Sequence, residues 1–495
     1  MKFVLVFASI LLCFAGFEQS KSEDTAAKPA LITITNVTII DAINGIHENM
    51  TVTISGNKIT NIVSSQSAST KTANQAIDGS GKYLIPGLWD MHVHLSFMPE
   101  LEETIFPLFI ANGVTSVRDT GGLIEKVLPY RDRSRREPET TPRVFISGPL
   151  LDGFPAVYDG NTPGLAKIAI SLKTPDDAIK AVDYLNQQGV DFVKAYEMLS
   201  PETFKALAKR ARKYDLKVDG HIPLSMTAEQ AADAGMNSME HLRNLQMACS
   251  FEEEALYKER QAILANTQNQ TGAKLRSELH KLQHNRAINT PDEKKCNLII
   301  QKLAEKHIWQ IPTLGINTWS ITGYYNDEEW RKTFIHLPEA LQKEWATPLN
   351  ISEEGKAKGA EMANWSFEMT QKLNKGNVGI LAGTDTPLAR LTPGYSLHME
   401  LELLVQAGLT PLEAIEAATI RPAAYFGLDN KIGTIEKGMI ADLILLSANP
   451  LEKINNTQQI EMVIKNGHIM DREKLNNLFT VREEDSPLTG KLEGR

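Results

Sequence analysis

Cysteine is scarce in this chain, with three in 495 residues. One of them, Cys13, lies inside the apolar N-terminal run and follows Leu12 rather than a small residue, which excludes a lipoprotein signal. At most one disulfide is then left to the body of the chain, between Cys249 and Cys296, and an oxidising compartment would let it form. Long basic blocks are absent and the formal charge is −9, so no nucleic-acid partner is expected. No apolar run long enough to span a membrane occurs after the first twenty positions, so no stable membrane insertion is expected. A GxGxxG loop after the first strand of the central region is missing, which disfavours a dinucleotide site there. HExxH is missing too, which removes the commonest helical zinc motif.

What is present is ordinary for a globular protein: 42% hydrophobic and 23% charged residues. The length suits one large domain with a smaller companion. After Lys2 runs "FVLVFASILLCFAGF", followed by a polar stretch. This pattern predicts a secretory signal peptide over 1–22, with Ser20 and Ser22 as the small residues near cleavage. A membrane anchor is the alternative, and the run is short for one. The mature chain is expected to be exported, to the periplasm or the medium.

The remainder falls into three parts. Residues 31–84 carry β-branched runs broken by Asn-Gly, Gly-Asn and Gly-Ser signals, and residues 430–475 resemble them. These two pieces are expected to form one small composite β-sandwich. Between them, over 85–429, short apolar runs alternate with helical patterns. The candidate strands lie at 88–94, 113–119, 143–147, 190–196, 216–222, 236–241, 308–314 and 378–385. Eight strands alternating with helices predict an α/β fold, a closed (β/α)8 barrel, with an open doubly wound sheet as the alternative. A polar, helical insertion occupies about 243–305. It holds His280 and His284, four apart on one helical face, which reads as a solvated helix rather than a metal site.

The strand ends carry the chemistry. His92 and His94 alternate along the first strand and so point to the same side, at the end where barrel enzymes do their work. The fourth strand ends at Lys194, the fifth at His221, the sixth at His241 and the eighth at Asp385. Imidazoles and a carboxylate are metal ligands. A lysine is out of place among them unless it is neutral and carbamylated by carbon dioxide, which makes it an anion with two oxygens.

The segments "YLIPGLWDMHVH", "GVTSVRDTGG", "DFVKAY", "GHIP", "MEHL", "LAGTDTP", "LELLVQAGLTPLEAIEAATIRPAAYFGL" and "GTIEKGMIADLILL" resemble the amidohydrolase superfamily, in its branch related to imidazolonepropionase and metal-dependent Xaa-Pro dipeptidases. The resemblance spans about residues 31–470. It implies the barrel, the composite β-domain and two divalent metals, usually zinc. On this resemblance His92, His94 and Asp385 hold one metal, His221 and His241 the other, and Lys194 bridges as a carbamate. The two cations would lower the pKa of a shared water, and Asp385 would carry its proton to the leaving nitrogen of an amide or peptide.

One position departs. Some dipeptidase relatives have a tyrosine three places after the sixth-strand histidine, where this chain has Asn244. Arg243, Tyr196 and Tyr158 are candidates to line the pocket, and Arg118 is either a substrate ligand or a tie between strands. His398 reads as structural. A small molecule or short peptide is the expected substrate, with a dipeptide or N-acyl amino acid foremost. A one-metal deaminase, a cyclic amidase or lactonase, and a non-catalytic metal-binding barrel stand as alternatives. A homo-oligomer is compatible with all of them.

Overall fold

A computed structural model describes residues 31–68, 73–267 and 270–479. The expected signal peptide, 1–22, lies outside the described residues. No helix among the described residues is long and apolar enough to cross a membrane.

The chain's two ends meet in one sheet of eight strands. Leu31–Asp41, Gly45–Ser55, Lys58–Ser64, Gln75–Asp78 and Tyr83–Pro86 come from the front, and Leu443–Leu446, Ile460–Lys465 and His468–Asp471 from the back. The joint is antiparallel, with Leu443 opposite Pro86 and Leu446 opposite Tyr83. The last hairpin turns at Asn466-Gly467, both in the left-handed region at φ 52 and 81, as an Asn-Gly turn should. Hydrogen bonding links all eight strands into one connected sheet with an apolar core of its own, the expected composite β-domain. The reason is the eleven-residue strand Leu31–Asp41. Its first half pairs with Gln75–Asp78 and its second with Tyr83–Leu84, which ties the strands together.

The central strands are parallel and follow one another in a ring. Leu88–Val93 pairs with Val114–Asp119, which pairs with Arg143–Ile146. The third strand then breaks and resumes as Leu150–Asp152, which pairs with Phe192–Ala195. Lys217–Gly220, Ser238–Glu240 and Trp309–Ile311 follow in register. The eighth segment closes the ring. Leu381 N–H donates to Gln310 on one side, and Met91 N–H donates to Ala382 on the other. Gly383 permits this approach, because a Cβ there would meet His92 N and Cβ at 2.9 Å. The eighth strand lies between the seventh and the first, which rules out the open sheet. Helices between the strands follow local signals: Thr174 forms a capping box with Asp177 on Pro175–Gln187, and Gly189 (φ 68) ends that unit.

Inside the barrel, beneath the mouth, Arg118 is fully buried. Nε donates to Met91 O at 2.6 Å, one terminal nitrogen to Asp219 at 2.8 Å and to Ser238 at 3.3 Å, and the other to Glu240 at 2.8 Å. Tyr425 Oη also donates to Asp219. Every guanidinium nitrogen is spent on the barrel, so Arg118 is the tie between strands and not a substrate ligand. His398 is likewise structural, held between Asn112 O and Thr457 Oγ1.

The insertion is helical, as Leu245–Ala248, Glu253–Ala265, Gly272–Ile288 and Glu293–Glu305. A disulfide joins Cys249 to Cys296 across it.

Two predictions follow from these ties. Cys296→Ser or full reduction should lower stability by up to about 4 kcal/mol, the loop-entropy value for a closure of this length. An unfolding midpoint indifferent to reductant would remove that role. Arg118→Met strands two buried carboxylates and should cost about 3–5 kcal/mol of folding stability. Unchanged thermal stability with a raised KM would return Arg118 to the substrate.

Candidate metal centre

Six sequence-predicted groups converge on the C-terminal mouth of the barrel. His92 Nε2 lies 3.3 Å from Asp385 Oδ1, and His94 Nε2 lies 3.1 Å from the same oxygen. His241 Nε2 is 3.9 Å from Asp385 Oδ2. The imidazoles form a chain, with ring centroids 5.4 Å apart for His94–His92, 4.6 Å for His92–His241 and 4.9 Å for His241–His221. Lys194 shares their cavity. Its Nζ is buried without a hydrogen bond, and Glu240 is 3.9 Å away.

The backbone turns sharply where these strands end. His241, Asn244, Thr313 and Asp385 all have positive φ, at 60, 67, 46 and 67. For a β-branched Thr313 this conformation is costly, and the surrounding bonds must over-determine it. They do so in two ways. Thr313 Oγ1 donates to Pro312 O at 2.8 Å, and the N–H groups of Leu314 and Gly315 donate to buried Glu400.

Each imidazole is held by its other nitrogen. His92 Nδ1 meets Glu240 at 2.7 Å, His94 Nδ1 meets Gly121 O at 3.2 Å, and His221 Nδ1 meets Glu197 at 2.6 Å. His241 Nδ1 meets Thr313 Oγ1 at 2.6 Å, and that hydroxyl already spends its proton on Pro312. A carbonyl or carboxylate can only accept, so every Nδ1 carries hydrogen and Nε2 is the nitrogen left to face the mouth and ligate a cation there.

Burial sets the charges. Arg118 and Lys194 hold Glu240 well below the usual carboxylate range although burial opposes this, so it is an anion under His92. The same holds for Asp385, where the imidazoles outweigh burial. Burial draws Lys194 down to about 8, which brings the neutral, reactive amine within ordinary pH. It also draws His221 down to about 3, which keeps that ring neutral and able to ligate. His92, His94 and Asp385 place donor atoms within 4.8 Å of one another, a spacing that one metal ion can bridge. The donor set therefore fits a divalent metal: imidazole Nε2 atoms gathered around one carboxylate, and a buried amine beside them that makes no hydrogen bond among the described residues.

A cavity of about 170 Å³ opens on these groups. Tyr158, Tyr196 and Arg243 line it; Arg118 does not reach it. Arg276 also lines it and was not among the sequence candidates. It comes from the insertion, and Nε donates to Glu197 at 3.1 Å. The expectation of a solvated helix fails at the same place. His280 Nε2 lies 2.8 Å from Glu197, and His284 is buried and stacked on His280 with centroids 4.2 Å apart. Polar neighbours in sequence suggested exposure, but this face of Gly272–Ile288 packs on the barrel mouth. The four-residue spacing of Arg276 and His280 was the available signal; the buried carboxylate opposite them has none. Asn244 Nδ2 donates to Ile222 O and Oδ1 accepts from Arg260, so it joins the insertion to the barrel and stays out of the cavity.

Comparison with known proteins agrees with this geometry. Residues 83–470 match the amidohydrolase family. An imidazolonepropionase of Thermoplasma acidophilum is 44% identical over 96 residues, covering 19% of this chain and 23% of that protein. An adenine deaminase of Desulforamulus reducens is 27% identical over 151 residues, 29% of this chain and 24% of that one. The alignments thus span about a quarter of these curated relatives. Over the whole fold, a crystal structure of a Xaa-Pro dipeptidase with methionine in its active site superposes with a TM-score of 0.64 at 19% identity, covering 89% of this chain and 100% of that one. The matched span takes in both the composite sheet's joint and every strand end described above, and the chain belongs to the amidohydrolase family.

Proposed function

We propose that this chain is a metal-dependent hydrolase of carbon–nitrogen bonds in small amides or peptides, with dipeptides and N-acyl amino acids the foremost substrates. One observation carries the reading. Four imidazoles each donate Nδ1–H to a fixed acceptor and turn Nε2 toward the mouth where Asp385 stands. His92, His94 and Asp385 would hold one divalent cation, and His221 and His241 a second. Lys194, carbamylated with release of a proton, would lie between them. Nitrogen and oxygen donors at this ratio suit zinc. When bound, such cations supply Lewis acidity, polarising the carbonyl and lowering the pKa of water.

The chain's own residues do the rest. Asp385 takes a proton from the attacking water on its carboxylate and passes it to the departing nitrogen. Glu240, Glu197, Gly121 and Thr313 keep the imidazoles in one tautomer through each turnover. Tyr158, Tyr196 and Arg243 orient the substrate against the mouth. A one-metal deaminase would leave Lys194 no task beyond its 3.9 Å approach to Glu240, which favours the two-metal amide hydrolase. The likeness to a Xaa-Pro dipeptidase supports a peptide substrate. The bonded pair Cys249–Cys296 agrees with an oxidising compartment outside the cytoplasm.

As purified, the protein should carry close to two zinc-like ions, and chelation should abolish hydrolysis. Active protein free of metal by mass spectrometry would overturn the reading. Asp385→Asn should lower kcat by about a hundredfold or more, the usual contribution of a general acid–base group. Lys194→Ala should lose most activity and its full metal content, with partial rescue by short carboxylic acids in the buffer. A Lys194→Ala enzyme with both metals and full rate would remove the carbamate.

A further inference from the structure

The insertion side of the mouth carries more positive charge than its own acids balance. Arg243, Arg260 and Arg276 converge there. Arg243 has no hydrogen bond or ion pair from its guanidinium among the described residues, and its Nε is buried. Arg260 is buried and bonded only to neutral groups, Gln283 and Asn244. Arg276 engages Glu197 through Nε alone, and its terminal nitrogens have no partner among the described residues. Glu197 is the carboxylate bonded to Arg276, and it also serves His221 and His280. Burial keeps His280 and His284 neutral, the first drawn down to about 4. Two guanidinium groups, Arg243 and Arg276, thus line the metal cavity on its insertion side, while Arg260 is buried outside it. A half-buried guanidinium whose Nε has no acceptor is costly, and a ligand carboxylate is the group that would relieve it.

Arg243 also stands at a border. With His241 and Ile316 it lines both the metal cavity and a second one of about 310 Å³. That second space is walled by Trp319, Ile351 and Met362, with the stacked His280 and His284 on the insertion side. Apolar walls beside a free guanidinium describe a ligand with a carboxylate and a large apolar group close together.

We infer that Arg276 and Arg243 hold the carboxylate of an N-acyl or peptidyl amino acid, and that the second cavity takes its large apolar side chain. The inference rests on the hydrolase reading for the bond that is cut, and adds the part of the substrate that is recognised. Arg276 belongs to the insertion, so this selectivity comes from a segment outside the barrel repeat. Its guanidinium is pre-oriented: Nε is tied to Glu197, and Cζ lies 5.8 Å from the centre of the Tyr196 ring.

Calorimetric binding to the full, metal-loaded chain tests it, with N-acetylphenylalanine, its C-terminal amide and N-acetylalanine as probes. The acid should bind at least about tenfold more tightly than either of the others, a difference of about 1.4 kcal/mol. Arg243→Gln and Arg276→Gln should each erase the preference for acid over amide. Arg243→Gln disturbs no bond in the fold, so its result does not depend on the Glu197 contact. Met362→Trp should erase the preference for the phenyl group while keeping that for the acid. His280→Gln, which frees Glu197 of one partner but removes no guanidinium, should weaken acid and amide alike. Equal affinity of acid and amide in the unaltered chain would overturn the inference, as would an acid preference that survives both arginine variants. Turnover of the same probes decides the underlying reading separately. Release of acetate from acid and amide at equal rates would leave the hydrolase standing and the carboxylate site refuted. Tight, arginine-dependent binding of the acid without cleavage of any amide would do the reverse.

Discussion

The site depends on one buried guanidinium. Arg118 lies under the mouth of the barrel with a bond from each of its nitrogens to a strand. Without it, Asp219 and Glu240 would be two like charges facing each other in the barrel interior, and one would have to take up a proton. A protonated Glu240 would compete for its own hydrogen bond to His92, and the tautomer of that ring would no longer be fixed. Pairing is worth several kcal/mol here because water cannot substitute for a missing partner. The interaction is therefore structural in its energetics and chemical in its consequence. It keeps an anion directly behind the first imidazole.

From that point the other constraints fall into order. Gly383 lets the eighth strand close on the first, and closure brings Asp385 to His92 and His94. The positive φ at His241 and Asp385 turns each side chain inward at the cost of local backbone strain. Buried acceptors carry that strain: Asp90 takes the N–H of His92 and both the N–H and hydroxyl of Thr384, while Glu400 takes two N–H groups after Thr313. A buried carboxyl group thus lies behind the strand ends on either side of the candidate metal ligands, accepting from the backbone rather than from the ligand side chains.

Much of this was legible in the sequence, because it is written in local patterns. Alternation placed His92 and His94 on one side of a strand, and the run of apolar segments each ending in a polar group marked the barrel's mouth. Turn chemistry such as Asn466-Gly467 needs only its own two residues to be read. What escaped depends on distant partners. Arg118 offered two readings because Asp219 and Glu240 are 101 and 122 residues further on. The linkage of all eight end strands into one sheet escaped, because the divided pairing of Leu31–Asp41 leaves no mark in its composition. His280 looked solvated because lysines and glutamines surround it along the chain, whereas Glu197, its partner, lies far away in the turn after the strand Phe192–Ala195.

Glu197 explains why the insertion matters to the chemistry and not only to the outline of the molecule. One oxygen, Oε1, accepts from both His221 Nδ1 and Arg276 Nε, while the other, Oε2, faces His280 Nε2. The carboxylate that orients a metal ligand is thus the same one that anchors the insertion's cation at the cavity. Arg276 and His280 hold Glu197 well below the ordinary carboxylate range against the pull of burial, and an ionised Glu197 is what His221 Nδ1–H requires. Movement of Gly272–Ile288 away from the barrel would remove a cation from the cavity and weaken the fixed tautomer of His221 together. The disulfide bears on this directly, since Cys249 and Cys296 lie on either side of that helix in the chain and limit how far it can leave. On the proposed reading, ligand recognition and metal-ligand geometry are coupled through one buried carboxylate, so neither would be altered in this insertion without cost to the other.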